Sequence, residues 1–201
     1  GYLTENQYDG AGRLIHTIGY ATQTNSSYWS TGTLAQLRPA ADAAKDSHGW
    51  ILYDGQDRVM ATVNGEGYLT ENIYDVNGNL TQSIAYANKA LIAPTAITAS
   101  TLIGALRPNP TPSLQDQVSS ATYTDLNQVA TKTNAQGTVT RYTYDTVGKL
   151  IQTDLAWNTS EVRTLQARYN KQGWLTGELS GEGSAALAAL VAPTQAQIDQ
   201  I

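Results

Sequence analysis

His16 and His48 are the only side chains of this chain that titrate near neutral pH without a large shift, so proton-transfer chemistry would begin with them. His16 lies between Leu14 and Ile18 in a strand-like run, and Ser47-His48-Gly49 reads as a loop ahead of Trp50. Asp46, Ser47 and His48 supply the residue types of a Ser-His-Asp site. Consecutive residues rarely adopt triad geometry, however, and no strand-turn-helix elbow surrounds Ser47. Two carboxylates about 5 to 9 Å apart would suit glycoside hydrolysis. Asp54 and Asp57 fall in a turn pattern instead, and Glu66 and Glu71 read as polar strand surface. Asp75-Val76-Asn77-Gly78-Asn79 has the look of a calcium loop, yet Gly78 comes too early and Tyr86 stands where the bidentate Glu belongs. Gly65-Glu66-Gly67 and Gly181-Glu182-Gly183 lack the Lys and following helix of a phosphate loop. There is no cysteine, which removes thiolate metal sites, Cys nucleophiles and disulfides. The expectation is a chain with no catalytic residues, no metal ligands and no cofactor.

Aromatic side chains offer binding rather than catalysis. Tyr28-Trp29, Trp50, Trp157 and Trp174 could stack on sugars, which is the adhesin-like alternative: recognition of glycans or another cell surface through exposed Tyr and Trp. The competing reading is that they cap sheet ladders or clamp neighbouring segments, since large aromatics are usually partly buried. Asn25-Ser26-Ser27 and Asn158-Thr159-Ser160 match the glycosylation pattern, which matters only in a eukaryotic secretory setting.

The elements that would position such residues follow from composition. The 201 residues are 41% hydrophobic but only 14% charged, against about 25% charged in ordinary globular domains. Twelve Lys and Arg against seventeen Asp and Glu give a net charge of −5, which argues against nucleic acid or an anionic membrane as partner. No apolar run approaches the roughly 18 residues of a membrane helix. Phe is absent while Tyr occurs twelve times, and Tyr and Thr suit strands with one wet face. Gly1-Tyr2-Leu3-Thr4 carries neither Met nor a signal pattern and reads as the interior of something longer.

Repeats organise the chain. Residues 1–14, GYLTENQYDGAGRL, and 67–80, GYLTENIYDVNGNL, match at ten of fourteen positions at an offset of 66. Beneath this lies a shorter unit: Tyr, Asp or a relative, a spacer, Gly or a relative, a polar residue, then Leu or Val. It occurs at Tyr8-Asp9 with Gly12, Tyr53-Asp54 with Asp57, Tyr74-Asp75 with Gly78, and Tyr144-Asp145 with Gly148. Two looser copies place Tyr123 with Asn127, and Tyr169-Asn170 with Gly173. Asp, Asn or Thr after the Tyr can accept hydrogen bonds from backbone N–H groups ahead. Gly, Asn and Asp at the later position best tolerate the positive φ of a type I turn closed by a left-handed residue. These seventeen residues are read as structural turn formers, with alternating strands on either side.

The Tyr-to-Tyr spacings are 45, 21, 49, 21 and 25 residues, so a 21-residue period carries inserts of 24 and 28 residues. The inserts are Ala- and Leu-rich, two contain Leu-Arg-Pro, and they read as short helices or helical hairpins. The expected organisation is one repeat in 1–21, a helical insert in 22–46, two repeats in 47–87, and a second insert in 88–117 whose Pro108–Pro112 stretch is an extended connector. Three repeats follow in 118–183, and a third insert begins in 184–201.

Repeated Tyr-Asp…Gly-Arg-Leu units about 21 residues apart resemble the YD repeats of the Rhs family, which includes bacterial Rhs polymorphic toxins, the C components of Tc toxins and the teneurins. The resemblance covers the chain outside its inserts, with the best copies at Tyr8–Leu14, Tyr74–Leu80 and Tyr144–Leu150. It implies a mainly β fold: an antiparallel YD-repeat sheet of ribbon or shell type, here with Ala-rich helical insertions. It further implies a structural segment of a large bacterial secreted or surface protein, whose partners are neighbouring repeats and an enclosed effector polypeptide. The aspartates of the family's self-cleaving module have no counterpart here. The Leu-Arg-Pro inserts depart from a plain shell repeat and resemble an elaborated subtype of very large surface or secreted proteins.

Overall fold

The computed structural model describes residues 1–108 and 113–189. The connector beyond Pro108 and the last insert from residue 190 on therefore lie outside the described residues. The fold is mainly antiparallel β. Among the described residues twelve strands follow in order: β1 Tyr2–Tyr8, β2 Leu14–Gln23, β3 Ser47–Tyr53, β4 Val59–Val63, β5 Tyr68–Tyr74, β6 Leu80–Lys89, β7 Gln117–Tyr123, β8 Val129–Thr133, β9 Val139–Tyr144, β10 Leu150–Leu155, β11 Arg163–Tyr169 and β12 Leu175–Leu179. Tyr, Thr, Val and Ile dominate them, as a pleated and half-wet surface favours.

Two compact units are formed, one by residues 1–73 with 83–117, the other by 74–82 with the residues from 118 on. In the first, the strands lie in the order β1-β2-β3-β4-β5-β6, and in the second β7-β8-β9-β10-β11-β12. Sequential neighbours make every pairing local, which suits a chain with little charge and a modest core. Among the described residues, the buried hydrophobic side chains all belong to the first unit: Ile18, Tyr20, Trp50, Ala61, Val63, Leu69, Ile84, Tyr86, Ile97 and Leu106. The second unit is held instead by strand pairing and by polar links between hairpins.

The inserts contain less helix than an Ala-rich composition suggests. Residues 22–46 hold a 3-10 turn, Ser26–Tyr28, and the four-residue α1, Leu34–Leu37, started by a Thr33–Gln36 capping box. Residues 88–117 hold a 3-10 turn, Pro94–Ala96, and α2, Ile103–Leu106. Each α-helix stops after one turn because Pro39 or Pro108 pushes the preceding residue out of the helical region. That residue is Arg38 (ψ 118°) or Arg107 (ψ 127°). A third helix, α3, runs over Gly181–Ala188 beside β11.

Candidate functional site

Six turns join odd to even strands along one edge of the hairpins, and they close alike. In the first, Asp9 N–H donates to the Arg13 carbonyl and Gly12 N–H to the Asp9 carbonyl, each at 3.0 Å. Asp9 Oδ1 accepts the Ala11 and Arg13 N–H groups at 2.9 Å. Asp54, Asp75, Asp145 and Asn170 do the same with their side chains, and Thr124 does so with its hydroxyl. The left-handed position is filled by Gly12 (φ 80°), Asp57 (63°), Gly78 (88°), Asn127 (58°), Gly148 (86°) and Gly173 (82°). A register shift accompanies each described hairpin of this kind, the bulge that a left-handed residue produces.

The tyrosines preceding four of these turns tie one hairpin to the one before. Tyr53 donates its hydroxyl to the Leu14 carbonyl at 3.0 Å, Tyr123 to Leu80 at 2.9 Å, Tyr144 to Val129 at 2.9 Å and Tyr169 to Leu150 at 3.1 Å. The acceptor is always the Leu or Val that closes the preceding unit, which explains why those two positions recur together. Turn side chains add lateral links, with Arg13 paired to Asp57, Asn79 to Asn127, and Gln128 to the Gly148 carbonyl. Tyr144→Phe removes one such tie and is expected to cost about 1 kcal/mol in chemical denaturation. A loss indistinguishable from zero would show the tie to be dispensable.

A second set of contacts pins the inserts to the sheet. Glu5 on β1 and Glu71 on β5 occupy the same place in the duplicated segment, and both are buried. Arg38 meets Glu5 with Nε on Oε2 and Nη2 on Oε1, both at 2.7 Å. Arg107 meets Glu71 in the same two-pronged way, with Nε 2.8 Å from Oε2 and Nη2 on Oε1. Tyr20 donates to Glu5 at 3.0 Å and Tyr86 to Glu71 at 2.8 Å. Asp46 and Asp116 then cap the departing strands, accepting the Ala21 and Ala87 N–H groups at 2.9 and 2.8 Å. The pattern is thus Glu on the strand, Tyr on the next strand, and Arg from the insert. Sequence reasoning placed Glu71 on polar strand surface; it is a buried ion-pair partner, because Arg107 arrives from 36 residues away to neutralise it.

Where no Leu-Arg-Pro insert follows, charge pairing stays within the strands. Arg141 on β9 holds the position of Glu71, counted back from its Tyr-Asp turn. It pairs with the buried Asp154 on β10 at 2.7 Å. Gln152 and Thr164 complete the Asp154 shell at 2.9 and 2.7 Å.

These contacts set the acid response. The Arg38 guanidinium, opposed by burial and helped by Gln7 and Tyr20, holds Glu5 at about 2 against an ordinary 4.5. Burial pushes Glu71 up, but Arg107 and Tyr86 outweigh it and leave it lowered. Burial and then Glu71 push Tyr86 up to about 12. A carboxylate depressed on folding contributes stability above its unfolded value and loses it as pH falls through the folded one. The urea midpoint is therefore expected to hold from neutrality to about pH 5 and to fall between about 4.5 and 2. Glu5→Gln should flatten that limb, and an identical acid limb in the variant would contradict the assignment.

Residues 123–156 match the family model described as RHS Repeat. Over 89% of its length the chain is similar in fold to the structure of the Photorhabdus luminescens Tc holotoxin pore, at 17% identity and a TM-score of 0.56. Over 88% it is similar to the crystal structures of TcdB2-TccC3, at 17% identity and 0.56, and of TcdB2-TccC3-Cdc42, at 16% and 0.56. Residues 123–156 thus carry an Rhs-type repeat, and the chain as a whole shares its fold with those toxin structures. It spans only 7% to 8% of the length of those chains. No curated protein matches it in sequence.

Within this fold the candidate chemistry takes structural positions. His48 lies on β3 rather than in a loop, opposite Ile18, and its Nδ1 is 3.0 Å from His16 Nε2. His16 stacks on Trp50 at 3.8 Å and meets Gln7 Oε1 through Nδ1 at 3.0 Å. Burial first, then His48, lower the His16 pKa against the pull of Glu5. Asp46 is engaged with backbone N–H groups and forms no triad with Ser47. Trp50 is buried and its indole donates to the Pro94 carbonyl at 2.8 Å, clamping the second insert. Arg141 lies over the Trp157 ring, and Trp157, Trp29 and Trp174 are all exposed. Asp75 and Asn79 bond to each other as a turn, and no cluster of three or more potential metal ligands occurs among the described residues.

Asn64 and Asn134 form two further turns that sequence reasoning did not single out. Asn64 Oδ1 accepts the Glu66 and Tyr68 N–H groups, and Asn134 Oδ1 those of Gln136 and Thr138. Gly67 and Gly137 take the left-handed position. The Asn-x-x-Gly spacing was the available signal.

Proposed function

We propose that this YD-repeat segment is a wall element of a β-sheet shell or scaffold, of the toxin-encapsulating type, in a large bacterial secreted or surface protein. Its partners are the neighbouring repeats and an enclosed effector polypeptide, and it performs no catalysis of its own. The observation that carries this reading is the succession of hairpins, four of which are tied to their predecessors by a tyrosine hydroxyl. The second unit buries no hydrophobic side chain of its own among the described residues. Such a sheet gains its stability from neighbours on both sides, as repeat arrays do. The likeness in fold to TcdB2-TccC3 supports the same role. The buried Glu–Arg pairs make the inserts braces on the wall rather than independent modules.

Limited proteolysis with mass spectrometry tests the proposal, comparing this segment alone with the longer polypeptide that carries it. Protection only in the longer polypeptide is expected. Equal resistance in isolation would overturn the wall reading in favour of a self-contained module. Exposed Trp29 and Trp174 would then favour the adhesin-like role, for which glycan binding lost in Trp174→Ala is the measurement.

A further inference from the structure

Gln7, His16, His48 and Trp50 form a cluster for which a wall has no evident use. The two histidines of the chain face each other from β2 and β3, with His16 Nε2 3.0 Å from His48 Nδ1. Their ring centroids are 5.2 Å apart and their planes differ by 20°, so the two nitrogens meet edge to edge. Ionised Glu5 only accepts hydrogen bonds, so Gln7 turns its amide nitrogen to Glu5 Oε1 at 3.3 Å and its carbonyl oxygen to His16 Nδ1 at 3.0 Å. His16 Nδ1 therefore carries the hydrogen, and the neutral ring points a lone pair from Nε2 at His48. His16 is buried, and its stacking on Trp50 at 3.8 Å fixes its plane. His48 is half-buried and leaves the pair open to solvent on its side.

The duplicated segment shows that the fold does not need this cluster. At the offset of 66, Gln7 and His16 return as Ile73 and Gln82. Counted from Tyr53 and Tyr123, His48 and Trp50 return as Val118 and Ser120. Four residues joined through His16 in the first copy are thus all replaced in the second. Glu5, Tyr20, Arg38 and Asp46 meanwhile keep their counterparts Glu71, Tyr86, Arg107 and Asp116. The clasp of the insert is repeated, and the histidine cluster is not.

We propose that His16 Nε2 and His48 Nδ1 form a two-histidine site for a divalent transition metal ion of the Zn²⁺ class, with Gln7 orienting His16 and water completing the coordination. Neutral imidazole suits Zn²⁺, Cu²⁺ and Ni²⁺. Two nitrogens each about 2.0 to 2.1 Å from a tetrahedral ion stand about 3.3 Å apart. The pair at 3.0 Å has only to open slightly and tilt to reach that spacing. The hydrogen on His48 Nδ1 moves through solvent to Nε2, so both rings stay neutral and the proton count is unchanged. A carbonyl oxygen on the far nitrogen, as Gln7 supplies, is the contact that holds a ligating ring in its tautomer. Asp46, two residues before His48 and kept ionised by the Ala21 and Asp42 N–H groups, adds negative charge nearby.

Isothermal titration calorimetry of the chain with ZnCl₂ near neutral pH tests this, with one ion bound per chain as the expected result. His16→Gln and His48→Val introduce what the second copy carries, and each is expected to abolish that binding. Circular dichroism matching the parent chain shows that the variants are folded. Gln7→Ile is expected to weaken binding about tenfold to a hundredfold, as loss of an orienting partner does. Imidazole nitrogen NMR identifies the ligating atoms: Zn²⁺ is expected to shift His16 Nε2 and His48 Nδ1 and to leave His16 Nδ1 protonated. No binding by the parent chain overturns the proposal. So does equal binding by both histidine variants, which would mean an adventitious ion only, or ligation through His48 Nε2. The site lies within the first unit and does not depend on the wall reading, so its failure leaves the proteolysis comparison untouched.

Discussion

Replacing Arg107 with Ala is expected to lower stability by about 3 kcal/mol, because it strands the Glu71 carboxylate in a buried position. Glu71 keeps only 5% of its side chain exposed, while Arg107 keeps 42%, so the loss belongs at the lower end for a broken buried pair. For a chain of this size that is roughly 6 to 12 °C in melting temperature. Tyr86 still donates to one oxygen, which softens the penalty without neutralising the charge. Glu71→Gln should cost less than Arg107→Ala, since an amide loses no charge on burial. The double variant should cost clearly less than the sum, with a coupling above about 1 kcal/mol. A calorimetric loss below about 1 kcal/mol for Arg107→Ala would mean that water reaches Glu71 and that the insert is held by other contacts.

Gly148→Val should cost about 2 kcal/mol, for a different reason. Its φ of 86° lies in the left-handed region, where a β-branched residue is strongly disfavoured. An added Cβ would also come within 3.3 Å of Gln128 Nε2, the amide that donates to the Gly148 carbonyl. Gly148→Asn provides the control. Asn127 fills the equivalent place with a φ of 58°, so the Asn variant should lose less than about 1 kcal/mol. Equal urea midpoints for wild type and the Val variant would contradict the left-handed turn.

Local features of this molecule are legible in its sequence, and distant ones are not. A Tyr-Asp turn is a short object: the accepting side chain, the left-handed residue and the closing Leu or Val lie within seven residues in Tyr8–Leu14. Spacing alone exposes it, and sequential hairpins then yield the strand order. The Glu–Arg clasps span 33 and 36 residues, and a glutamate in an alternating strand looks like wet surface until its partner is known. A signal was nevertheless present, since both Gly-Tyr-Leu-Thr-Glu-Asn copies are followed by Leu-Arg-Pro. The repeat with Arg141 in the Glu position lacks that insert before the next unit. The inserts resisted reading because Ala and Leu favour helix, while proline placement allows only single turns. His48 looked like a loop residue between Ser47 and Gly49; pairing with β2 overrode that weak local preference.

The sheet is expected to continue through neighbouring hairpins, and electron cryomicroscopy of the longer polypeptide carrying this segment tests that most directly. The predicted result has β1 and β12 both hydrogen-bonded to further YD hairpins, Tyr8 reaching a Leu or Val carbonyl of the hairpin before it, and the inserts clasped on Glu5 and Glu71. Outer strands facing solvent on both sides, with residues 1–189 standing as a separate body, would contradict it.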